Sequence, residues 1–122
     1  MLTERPEKVY ISSANVDMRK SIDGLSAIVS SKFELNPMSK AMFVFHNLHC
    51  DKVKILYWDG SGFCLLYKRM EHDKFKFPKR ISAEKYEITP AELTWLMNGL
   101  KIEEIRKYEA LRYVKNTDFP PI

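Results

Sequence analysis

The sequence predicts an α+β fold for this 122-residue chain: an antiparallel meander of four or five strands, an N-terminal helix on one face, and one or two C-terminal helices. Three observations carry that prediction. Through the middle of the chain, short runs rich in β-branched and aromatic residues alternate between two chemically different faces. Turn-forming clusters of a few residues separate those runs. Before and after this block, apolar residues recur every three or four positions, the spacing of a helix with one buried stripe.

The first strand is expected at Val9–Ser12, where VYIS favours the pleat. Asp17 is placed to cap the first helix, whose stripe is Met18, Ile22, Leu25, Val29 and Phe33. Gly24 inside it implies close packing against a neighbour, and Asn36-Pro37 ends it. Strands are then expected at Ala41–Phe45, Lys52–Trp58, Phe63–Met70 and Phe75–Phe77. With Gly60-Ser61 at the centre of a turn, Trp58 pairs with Phe63, Leu56 with Leu65, Lys54 with Tyr67, and Lys52 with Arg69. With His72-Asp73 closing a further hairpin, Arg69 pairs with Lys76 and Glu71 with Lys74. Both turns partition the side chains alike. Val53, Ile55, Tyr57, Cys64, Leu66, Met70, Phe75 and Phe77 form a core face that receives the first helix, with Lys68 as its discordant member. The opposite face carries Lys52, Lys54, Arg69, Lys74 and Lys76, with Trp58, Phe63 and Tyr67 beside them.

Thr89-Pro90-Ala91-Glu92 combines a capping box with proline at the first helical position, so a helix starts there. Leu93, Leu96, Met97 and Leu100 form its stripe, and Gly99 marks its end. A last helix is expected from Ile102 to Tyr113. The whole chain, 1–122, reads as one domain with its core at about 9–113 and tails at 1–7 and 114–122.

Composition narrows the functional classes. An apolar share of 45% and a charged share of 30% describe a globular protein, and no apolar run is long enough for a membrane span. MLTERPEKVY lacks the apolar segment of a secretory signal, and two cysteines are too few for a disulfide framework. A cytoplasmic setting without membrane contact is expected. From His46 to Arg80 there are eight Lys/Arg and four Asp/Glu, so 8 − 4 accounts for the whole net charge of +4. Such a basic centre suits either a polyanion or a solvated sheet face.

Catalytic signatures are lacking. The DGSG turn leads into a strand, not a helix, so it offers phosphate no helix N-terminus. Metal-dependent nuclease chemistry would need two or three carboxylates among Asp17, Asp23, Asp51, Asp59, Glu71 and Asp73 to converge on Mg²⁺, yet Asp17, Asp51, Asp59 and Asp73 sit at expected caps or turns. His46, His49, Cys50 and His72 could meet at one end of a meander, but HNLHC is not a standard zinc spacing. No enzyme activity, metal, cofactor or small-molecule substrate is therefore expected. Arg19 and Lys20, in the first turn of the expected helix, oppose its dipole, and a phosphate or acidic partner would offset that.

DMRKSIDGL (Asp17–Leu25), FVF (Phe43–Phe45), KILYWDGSGFCLLYKRME (Lys54–Glu71) and FKFP (Phe75–Pro78) together closely resemble the accessory TnpB (Orf two-like) proteins of IS-sixty-six-type insertion sequences. These are distinct from the RNA-guided nuclease sharing that name. The resemblance runs from about Val9 to Gly99, where ITPAELTWLMNG is similar to the family's closing helix. It implies a non-catalytic protein encoded beside a transposase and needed for efficient transposition. Where the family usually carries an Arg-rich turn, this chain has Asn47, Leu48 and His49, and Ser21 replaces a usual Gly.

Two functions follow. The first is binding of element DNA, or of a transposase–DNA complex, through Arg19, Lys20, Lys52, Lys54, Trp58, Tyr67, Arg69, Lys74 and Lys76. Lysine and arginine would contact phosphates there, and the aromatics would stack on unpaired bases. The alternative is a protein–protein adaptor for the cognate transposase, with the same aromatics as the hot spot.

Overall fold

The computed structural model describes residues 6–78 and 82–101. The expected tails at 1–7 and 114–122 and the helix at 102–113 lie largely or wholly outside them. Five strands and two helices follow in the order β1 (Lys8–Ser12), α1 (Ile22–Ser31), β2 (Ala41–His46), β3 (Lys52–Trp58), β4 (Phe63–Arg69), β5 (Lys85–Ile88) and α2 (Pro90–Met97). The class is α+β, built on a single mixed sheet of order β4-β3-β2-β1-β5.

Only part of that sheet is a meander. β2, β3 and β4 are consecutive antiparallel neighbours, whereas β1 runs parallel to β2 and β5 runs antiparallel to β1. The parallel pair follows from the long connection through α1, since a chain that crosses over a sheet face re-enters in its original direction. The expected register of the central hairpin is observed in full: Trp58↔Phe63, Leu56↔Leu65, Lys54↔Tyr67 and Lys52↔Arg69. Its turn is held by Asp59, whose Oδ1 accepts from the Ser61 and Gly62 backbone N–H groups at 2.9 Å each. Gly60 takes φ +101, a left-handed conformation open to glycine.

The second expected hairpin does not form. Phe75–Phe77 is an extended segment outside the sheet, anchored by the Phe75 N–H donating to the Cys50 carbonyl at 2.8 Å. Phe75 and Phe77 are buried all the same. The Phe-Lys-Phe alternation reported two buried rings, and not a paired strand. The fifth strand is instead KYEI at Lys85–Ile88, on the far edge beside β1.

The sheet is covered on both faces, and α1 lies on the face expected to be open. Leu25, Val29 and Phe33 pack with Ala41, Phe43, Phe45 and Leu56 in one apolar cluster. The other cluster holds Val9, Ile11, Val44, Val53, Ile55 and Tyr57 beneath Leu93 and Leu96 of α2 and beneath Phe75 and Phe77. All six residues of β2, the central strand, are buried, as a strand must be when both faces are covered.

Each helix end has a local cause. α1 begins at Ile22 behind Ser21, later than the expected Asp17 cap, and the Ser21 side chain makes no capping bond. Asp17 instead organises the preceding turn, its Oδ1 accepting the Arg19 backbone N–H at 2.8 Å. α2 starts as expected: the Thr89 hydroxyl accepts from Glu92 N–H at 3.1 Å, and the Glu92 carboxylate accepts from Thr89 N–H at 2.9 Å. Gly99, at φ +89, follows its C-terminus. The discordant Lys68 has its explanation here. Its Nζ donates to the Met97 carbonyl at 2.7 Å, placing a cation on the negative end of α2.

Candidate nucleic-acid interface

The site grows from β3 and β4. On the α1 face these strands carry Lys52, Lys54, Leu56 and Trp58 opposite Arg69, Tyr67, Leu65 and Phe63. Leu56 and its surroundings are sealed by α1, which leaves the Lys52–Lys54 end beyond the apolar stripe. There Lys54 Nζ donates to the backbone carbonyl of Lys20 at 2.8 Å. A single bond thus joins the turn before α1 to the basic end of the hairpin, 34 residues away. The Lys54 ammonium also lies 5.9 Å from the ring centre of Tyr67, which is 52% exposed. This geometry leaves the tyrosine face beside a cation and open to solvent.

Lys52, Lys54, Tyr67 and Arg69 therefore form one group with the Lys20 backbone beside it, while the stem of the Lys20 side chain lies close to Gly24 of α1. Among the described residues, Lys20, Lys52 and Lys54 make no salt bridge, while Arg69 reaches Glu71 Oε1 at 2.9 Å. Arg19 sits next to Lys20 and holds Asp17 Oδ2 at 2.7 Å. Both pairs are exposed, so solvent screens them and a phosphate could replace either carboxylate at little cost.

The remaining expected site residues lie elsewhere. Trp58 is four residues along β3 from Lys54, half-buried, with its ring edge-on to Phe63 at 5.0 Å between centroids. Lys74 and Lys76 belong to the segment that sends Phe75 and Phe77 into the opposite core. Lys76 Nζ is committed to Asp73 Oδ1 at 2.8 Å, and neither lysine pairs with Arg69 or Glu71 across a hairpin.

No three histidine, cysteine or carboxylate side chains among the described residues come close enough to hold a metal ion. His46 is buried against the Phe77 ring at 4.4 Å, its Nε2 lying 3.1 Å from the Ser12 carbonyl oxygen. His49 and His72 are exposed. The 47–52 turn is organised by Asn47, whose Oδ1 accepts from Asp51 and Lys52 N–H at 3.1 and 3.0 Å. Asn47 was legible only as a departure from an Arg-rich turn, although asparagine bonding to nearby backbone is a familiar turn signal. The Lys20 carbonyl had no sequence signal at all.

Asp17 is strongly perturbed. Side-chain hydrogen bonds from Arg19, and then the Arg19 backbone N–H, lower its pKa from 3.8 to about 2. Because the folded value is the lower one, Asp17 favours the folded state above its ordinary titration range, and that contribution is lost as pH falls towards 2. In an NMR pH titration, the Asp17 carboxyl should titrate near 2, and Arg19→Ala should return it towards 3.8. An unchanged midpoint in the variant would show that Arg19 is not the cause.

The fold and this site describe a small α+β protein whose basic, tyrosine-bearing patch sits at one end of a covered sheet. Comparison with known proteins sharpens the class: residues 7–107 match the family described as IS66 Orf2 like protein, and the chain belongs to that family. It is 32% identical over 108 residues to the uncharacterized protein y4jC of Sinorhizobium fredii, covering 88% of this chain and 92% of that protein. It is 34% identical over 95 residues to the uncharacterized protein y4hO of the same organism, covering 76% and 80%. No solved structure matches the chain. Family membership implies an accessory role in transposition of an insertion sequence. No helix among the described residues is long and apolar enough to cross a membrane.

Proposed function

We propose that the chain is a non-catalytic transposition factor that holds element DNA, alone or with the transposase, through Lys20, Lys52, Lys54, Tyr67 and Arg69. The observation that carries this reading is the 2.8 Å bond from Lys54 Nζ to the Lys20 carbonyl. It merges two distant basic segments into one surface without consuming the charge of either lysine. Such a cluster neutralises phosphates whatever the base sequence, and each contact releases counterions. Tyr67 is better placed than Trp58 to stack on an unpaired base, because its ring is exposed beside a cation.

Titrating labelled single- and double-stranded element ends at several salt concentrations tests the proposal. The Lys52→Ala, Arg69→Ala double variant should bind every sequence more weakly and flatten the salt slope by about two units, roughly 0.9 per lost contact. Tyr67→Ala should weaken single strands more than duplex. Absence of binding at low salt, with the transposase still captured, would make the protein an adaptor for that enzyme.

A further inference from the structure

β4 is an edge strand of seven residues, whereas the opposite edge, β5, has four. Folded proteins normally shorten, charge or cover such an edge, since it presents unpaired backbone groups to any other chain. Here charge protects only one end, at Lys68 and Arg69, while Phe63, Cys64, Leu65 and Leu66 precede them. Asp59 N–H bonds the Gly62 carbonyl, and Met70 N–H bonds the Asp51 carbonyl. Antiparallel pairs alternate, so Cys64, Leu66 and Lys68 bond β3 while Phe63, Leu65, Tyr67 and Arg69 turn their N–H and C=O outward. Among the described residues no strand meets these groups. An apolar groove of about 340 Å³ opens beside this edge on the α2 face, lined by Val53, Ile55, Leu66, Tyr67, Lys68 and Met97.

We propose that the edge pairs with β4 of a second copy of this chain, antiparallel about a two-fold axis at Leu66, giving a ten-stranded sheet. Only this register uses all four outward-facing residues: Phe63 meets Arg69 of the second copy and Leu65 meets its Tyr67. Leu66 meets Leu66 at a closely spaced position and covers the open groove, where it is now 38% exposed. The charges agree with the pairing. Lys68 falls opposite Cys64 and Arg69 opposite Phe63, so no like charges face one another, and the arginine meets an aromatic ring. The assembly is independent of nucleic acid, and its test contains none.

Sedimentation of the full chain from micromolar to near-millimolar concentration should show a monomer–dimer equilibrium. Tyr67→Pro should sediment as a monomer with an unchanged circular dichroism spectrum, because the missing N–H points away from β3. With Cys50 and Cys64 changed to Ser, Leu66→Cys should oxidise to a disulfide-linked dimer at least tenfold faster than Ser30→Cys on the exposed side of α1. A wild-type chain that stays monomeric overturns the proposal, as does equal crosslinking of the two cysteines or a dimer indifferent to Tyr67→Pro. Slow hydrogen exchange of the Leu65 and Tyr67 amides in a monomer would assign the edge to another segment of the same chain.

Discussion

Leu56→Ala should destabilise the protein by about 2–5 kcal/mol, the range for deleting a buried leucine from a packed core. Leu56 is completely buried among Phe43, Phe45 and the Leu25–Val29 stripe of α1. Its strand neighbours Lys54 and Trp58 share the sheet face, so the alternation alone marks it as solvated. Leu66 makes the contrast. It sits on the other face, is 38% exposed, and should cost at most about 1 kcal/mol when cut to Ala. Urea unfolding at a protein concentration low enough to keep every variant monomeric compares the two without interference from association. A larger loss at Leu66 than at Leu56 would put α1 on the wrong side of the sheet.

Phe75→Ala should cost about 3–5 kcal/mol, although Phe75 belongs to no helix or strand. Its ring is 2% exposed and lies 6.0 Å from that of Phe77, which in turn stacks on His46. The segment is thus a lid of the α2-side core, held to the 47–52 turn by the Phe75 N–H bond to Cys50. Lys74→Ala, one residue earlier and exposed, should change stability by less than about 0.5 kcal/mol. Equal effects at the two positions would mean that this stretch is an ordinary surface loop.

These two residues show where sequence reasoning held and where it stopped. Phe75 was expected in the core and is there, but its alternation with Lys76 and Phe77 was read as strand pairing. A period of two records which side chains are buried, and an extended segment lying across a sheet has that period as well. Leu56 alternates with Lys54 and Trp58 along β3, so a period of two put it on the face expected to be open, although its partners in register are Leu65 and Phe43. The signal against that reading was in β2, where AMFVF is apolar without alternation. Unbroken apolar strands occur where both faces of a sheet are covered, so an open face was never compatible with Ala41–Phe45. KYEI carried too weak a pattern to be separated from the loop around it.

The candidate site divides in the same way. Lys52, Lys54, Tyr67 and Arg69 were placed together by register alone, and they are together. Lys74 and Lys76 were added through a hairpin that does not exist. Trp58 shares their face but lies along the strand, packed edge-on against Phe63. Lys20 entered through its chain position near a helix start, yet what joins it to the group is a backbone carbonyl that no residue type announces.

By itself, the sequence determined the β3–β4 register, the Asp59–Gly62 turn, the capping box at Thr89 and the stop at Gly99. These rest on contacts between residues a few positions apart, and turn chemistry or side-chain alternation settles them before any distant segment arrives. Only the tertiary structure decided that β1 joins β2 in parallel, that β5 completes the far edge, and that α1 covers the Leu56 face. Those choices depend on which apolar surfaces remain unburied once the hairpin has formed, a property of the assembled sheet and not of any stretch of chain. The bond from Lys54 to Lys20 followed from the last of them, because only a helix packed over β3 brings its preceding turn within reach of that lysine.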